Sequence, residues 1–212
     1  MLRIGTPLVA LWLSLLLSGP KAFGQYAADA AGQPPSELAP AVQQVLETNG
    51  FKISRGGEAY CEIWFRSHPP ASSGPAGRNV TLPSIRQGAL VGVIRFDGTG
   101  SDRRGQTIPV GLYTLRYGVM PMNGAHEGAA PHRDFLLLVP ASDDQDPNST
   151  PGFDALVSLS KKASRTAHPA VLSVWEAASD TPGFSRQGDD WVLQTKLGET
   201  PIAVILIGSA GS

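Results

Sequence analysis

Leu112-Tyr113-Thr114-Leu115-Arg116-Tyr117-Gly118-Val119 places Tyr113, Leu115, Tyr117 and Val119 on one side of an extended chain, and Thr114 and Arg116 on the other. Successive side chains leave opposite faces of a pleated strand, so this alternation marks a β-strand with one face in a core. The pattern recurs on both sides. Upstream, residues 59–66 set Ala59, Cys61, Ile63 and Phe65 against Tyr60, Glu62 and Trp64, and residues 89–97 read as another strand. Downstream, residues 135–139 form an apolar run too short for a helix, and strands follow at 170–175 and 191–197. Residues 202–207 carry no polar interruption, as expected of a central strand covered on both faces. Residues 51–53 form a shorter candidate, and 80–82 a brief edge strand stopped by Pro83.

Two helices interrupt the strands. Leu38, Val42, Val45 and Leu46 predict an amphipathic helix over residues 37–48, with Ser36 as cap, Pro40 in the first turn and Asn49-Gly50 as stop. Phe153, Leu156, Val157 and Ser160 share a face of a second helix over residues 153–164, with Asp154 in its first turn. The 24 glycines and 18 prolines punctuate short apolar runs instead of forming one tract. That spacing predicts a mainly β, single-domain fold of the β-sandwich or jelly-roll kind with one or two short helices.

The phrase Gly105-Gln106-Thr107-Ile108-Pro109-Val110-Gly111-Leu112-Tyr113-Thr114-Leu115, continued by Asp134-Phe135-Leu136-Leu137-Leu138, gives a second line of reading. Over residues 106–139 it resembles a β-rich family of exported bacterial proteins of unknown function, in which such an Ile-Pro-Val-Gly-x-Tyr-x-Leu phrase leads into a sheet strand. The resemblance implies β structure and export, and it carries no catalytic residue.

The N-terminus predicts export independently. Arg3 supplies a basic start, residues 8–17 an apolar stretch, and Ala22-Phe23-Gly24 small residues where a signal peptidase cuts. The run is shorter than the roughly 20 residues of a membrane span and is broken by Gly19-Pro20, so cleavage near Gln25 is expected, with no stable span afterwards. The expected organisation is a signal peptide at 1–24, a flexible leader at 25–35, one β-rich domain at 36–208 and a tail at 209–212. Localisation is then periplasmic or extracellular. Losing Arg3 and Lys21 leaves 15 basic against 18 acidic residues, a balance that attracts neither nucleic acid nor an anionic membrane. Cys61 is the only cysteine, so no internal disulfide can form and its strand position predicts a buried thiol.

No G-x-S-x-G, P-loop, dinucleotide-binding, H-E-x-x-H or C-x-x-C pattern is present. Candidate chemistry falls on two loops. Between Val119 and Phe135 lie His126, Glu127, His132 and Asp134, ligand types for a divalent metal, beside Tyr117, Met120 and Met122 as adaptable binding contacts. Asp144, Asp146 and Asn148 alternate like the start of a calcium loop, but Ser149 stands at its glycine position and Ala155 at its twelfth. Arg103-Arg104 reads as a solvated pair, and His68 and His168 as surface histidines. Trp64, Trp175 and Trp191 read as packing residues unless one face collects them.

The leading expectation is a non-catalytic exported binding module using the loop at 120–134, its partner an envelope protein, a glycan or a small molecule, with no cofactor required. The alternative is a metal-binding protein or metal-dependent enzyme built on His126, Glu127, His132 and Asp134.

Overall fold

Backbone pairing in the computed structural model, which describes residues 26–72, 77–121 and 132–209, follows the sequence alternation closely. The strands are β1 (Tyr26–Gly32), β2 (Gly50–Arg55), β3 (Glu58–Phe65), β4 (Leu90–Phe96), β5 (Gly100–Ser101), β6 (Thr107–Ile108), β7 (Gly111–Val119), β8 (Asp134–Pro140), β9 (Val171–Glu176), β10 (Gly183–Gln187), β11 (Asp190–Leu197) and β12 (Thr200–Ile207). Helix α1 (Pro40–Gln43) precedes β2, and α2 (Phe153–Ser164) lies between β8 and β9. Ten strands form one antiparallel sheet in the order β1-β2-β3-β4-β7-β8-β9-β12-β11-β10, while β5 and β6 make a small hairpin. The fold is mainly β in a single domain, as expected.

The sheet curls until its ends approach one another. Tyr26 on β1 makes an edge contact of 5.5 Å between ring centroids with Trp191 on β11. Inside, Ile53, Cys61, Ile63, Leu115, Leu138, Leu193 and Val204 are wholly buried in one apolar cluster. β12 sits between β9 and β11 with Ile202–Leu206 buried on both faces, which explains its uninterrupted apolar sequence. Buried Cys61 is free, and burial pushes its thiol far above the ordinary range. No helix among the described residues is long and apolar enough to cross a membrane.

Two outward patches are covered separately. Trp64, Leu90 and Val93 pack under Leu38, Val42 and Leu46 around α1, and the Trp64 indole donates to the Gly32 carbonyl at 2.8 Å. Leu137 and Val139 on β8 pack under Leu156 of α2. Complete burial of Leu156 is worth about 2 kcal/mol in transfer terms.

Several expectations need correction. Residues 26–32, read as part of a flexible leader, form edge strand β1. They pair with β2 through backbone groups, so their small side chains show no core-facing alternation. The first helix has the expected buried stripe but only one turn. Its cap is Ala39 rather than Ser36, and after Gln43 the chain turns to pair Leu46 with Arg66 beyond β3. An extra residue at Tyr60, opposite the Ile53–Ser54 step, bends β3 and brings the Tyr60 ring to 5.8 Å from Phe96. Tyr60 therefore packs half-buried against the core, where desolvation pushes its phenol up to about 12. Residues 80–82 are not a strand. The second helix forms over the expected residues, with Gly152 as its N-cap and Arg165 closing it in the left-handed conformation at φ 56°.

Candidate functional site

The end of β7 and the start of β8 position the loop that the sequence singled out. Met122, His126 and Glu127 lie outside the described residues. Tyr117 and Asp134 face each other at buried positions, and the Tyr117 hydroxyl donates to Asp134 Oδ1 at 2.6 Å. The same carboxylate accepts from Thr81 N at 2.9 Å, Thr81 Oγ1 at 3.1 Å and Leu82 N at 3.2 Å. A carboxylate has about four acceptor sites, and all are occupied here. Asp134 therefore clamps residues 81–82 onto the sheet through both carboxylate oxygens. Burial, and then the bonded Asp134, hold the Tyr117 phenol well above its ordinary range. Tyr117 is a buried strut between the sheet and residues 81–82, at the base of a shallow hollow shared with Gln87, Val119 and Arg133.

His132 lies against Trp175, with ring centroids 5.8 Å apart. Arg133 closes the neck of the loop by donating Nε to the Met120 carbonyl at 2.8 Å and Nη1 to that of Arg78 at 2.7 Å. Met120 N returns a bond to the Arg133 carbonyl at 2.8 Å. This arrangement ties Met120 to Arg133 across the neck of the loop.

The acidic loop holds a guanidinium where the calcium reading put a cation. Arg116 is fully buried, and forks onto Asp144 through Nε at 2.8 Å and Nη2 at 2.6 Å. It also donates to the carbonyls of Gly88, Asp146 and Ser149, while Thr114 Oγ1 donates to Asp144. Arg66 binds the Pro147 carbonyl at 2.6 Å and Asn148 Oδ1 at 3.3 Å. Burial, and then neighbouring Arg116, lower the Arg66 guanidinium. Gly88, at φ +82°, lies so close to the loop that a Cβ would collide with the Pro151 carbonyl. The loop is thus stitched down by internal charge. No group of three or more His, Cys, Asp or Glu side chains able to hold a metal occurs among the described residues.

Open space lies elsewhere, in a broad hollow of about 500 Å3 between the sheet's ends, lined by Tyr26, Phe51, Phe184 and Leu193, and in a more apolar one along the flank of α2. A trough of about 250 Å3 has Phe135 and Val171 of the sheet on one side, and Phe153 and Val157 of α2 on another. Met120 and Pro121 border it, so the one described methionine of the expected binding loop does reach a concave surface. Phe153 and Val157 fall one helical turn apart. Leu156 and Ser160 take the buried face, leaving those two half-buried. The lining also includes Arg103, Arg104, Lys161 and His168, and no Asp or Glu.

Arg103 and Arg104 are not the free solvated pair that the sequence suggested. Arg104 donates Nε and Nη2 to buried Asp102 at 3.1 and 2.6 Å, and Nη2 also reaches the Pro169 carbonyl at 2.8 Å. Arg103 meets Asp190 only through Nε, at 3.1 Å to each oxygen. The three tryptophans of the domain do not gather into one platform: Trp64 underlies α1, Trp175 faces His132, and Trp191 stacks on Phe184 at 5.3 Å. No family model matches the chain, and neither curated proteins nor solved structures give a significant match.

Proposed function

We propose that this protein is an exported, non-catalytic binding module, and that the trough beside α2 is its ligand site. The observation carrying this reading is the trough itself, an apolar hollow of about 250 Å3 left between α2 and the sheet. Preformed concave apolar surfaces with a few convergent polar groups are where small molecules bind. Of the expected partner classes, envelope protein, glycan and small molecule, its size favours the last. The non-catalytic reading rests on the absence of nucleophile, phosphate-binding and metal motifs from the sequence. It is also supported by Tyr117 and Asp134, which are committed to each other and to residues 81–82. Export rests on the Arg3, 8–17 and Ala22-Phe23-Gly24 pattern.

The mature protein should enhance the fluorescence of N-phenyl-1-naphthylamine, and Val157→Trp, which fills the trough, should abolish that signal without lowering Tm. An unchanged signal in the Val157→Trp protein would overturn the site. For export, fractionation of a bacterial host and N-terminal sequencing should find a periplasmic chain beginning near Gln25. Retention of Met1 in the cytoplasm would overturn it.

A further inference from the structure

We propose that the trough takes an amphiphilic anion, a ligand with an oxyanion head and an apolar body, a choice that rests on the trough being the ligand site. The apolar requirement comes from Phe153, Val157, Phe135 and Val171. At about 30 Å3 per water-sized group, 250 Å3 accommodates about eight such groups of a chain or ring.

The charge requirement comes from which cationic donors remain unused. Arg104 is occupied by Asp102 and Pro169. Arg103 spends only Nε on Asp190, and among the described residues its two Nη atoms have no partner. Lys161 Nζ likewise makes no hydrogen bond or ion pair there, and His168 bonds only through its backbone. Guanidinium, ammonium and imidazole donors thus border an apolar hollow whose lining contains no carboxylate, on a chain whose net charge is −1.

A cation bonded to solvent alone contributes little to folding. Beside an apolar wall, the same group can meet a partly desolvated oxyanion through charge-assisted bonds, and paired Nη donors suit an oxyanion's geometry. A cationic ligand would meet repulsion, and a neutral sugar would find few acceptors. The shared chemistry of free fatty acids, alkyl phosphates and anionic lipid heads is what these groups complement.

Competition for the naphthylamine probe by dodecanoate, dodecyl phosphate, dodecanol and dodecylammonium tests the head group, using the full mature chain at low salt. Both anions should bind about tenfold tighter than dodecanol, the worth of about one charge-assisted bond. Lys161→Gln combined with Arg103→Gln should bring the anions to parity with dodecanol while leaving dodecanol unchanged. Lys161→Glu should shift preference toward dodecylammonium, a result that loss of folding could not produce. Parity of anion and alcohol in the wild-type protein would overturn the anionic head but leave the binding site standing. Failure of the probe itself to bind would overturn both. Co-sedimentation with phosphatidylglycerol vesicles without competition by either free anion would also overturn the proposal, by making the ligand a membrane surface.

Discussion

Two cationic regions border the outer face of this sheet, and they spend their charge in opposite ways. Under the acidic loop, Arg116 is fully buried and every direction of its fork meets an acceptor, with Arg66 binding the same loop beside it. Along α2, Lys161 is exposed and unbonded among the described residues, and Arg103 uses one nitrogen of three. In sequence the acidic loop reads as an incomplete calcium loop and Arg103-Arg104 as a solvated pair. A charge whose partners lie within the fold is structure, whereas one aimed at an apolar hollow with no partner is left for something else.

The sharpest way to break this comparison is Arg116→Met. It leaves Asp144 buried without its cation and should cost about 3–5 kcal/mol, read as the fall in urea midpoint at constant m. A loss below about 1 kcal/mol would mean that the loop is not held by this fork. Next in size, Asp134→Ala orphans Thr81, Leu82 and Tyr117 donors and should cost about 2 kcal/mol in the same measurement. On the other side, Lys161→Gln should change stability by less than about 0.5 kcal/mol, as expected of a charge with no internal partner.

The smallest effect is pH-dependent. Lys162 pairs with exposed Asp143 at 2.9 Å and holds its carboxyl below the usual range. A depressed carboxylate stabilises the fold above its unfolded pKa and stops doing so as pH falls through the folded one. The Tm difference between wild type and Lys162→Met should therefore be present at pH 7 and shrink as pH falls below the usual carboxylate range. A difference that persists in acid would assign Lys162 a packing role instead.

What could be read in advance follows the same division. β3 and β7 announce themselves by apolar alternation, β4, β8 and β12 by apolar runs buried along nearly every residue, and α2 because Leu156 must face the sheet. β1 and β10 do not, since edge strands with exposed small or polar residues are held by backbone pairing, which leaves little periodic trace. The loop at 120–134 was legible as a place of interest through its composition, but Tyr117 and Asp134 within that reading turned out to be each other's partners. The trough was not legible, because segments around 103, 120, 135, 157 and 168 meet only in three dimensions. Its one trace in the sequence is that Phe153 and Val157 make the apolar face of α2 wider than Leu156 and Ser160 need.

Arg116 also polices the assembly of the sheet. On β7 it alternates with Leu115 and Tyr117, which point into the core. A slip of one residue against β8 would reverse every side chain, driving a guanidinium among leucines and turning two core residues outward. Burying that charge unpaired costs far more than a misregistered ladder could return. The arginine therefore penalises that slip, because only the native register sets its guanidinium against Asp144 and the acidic loop.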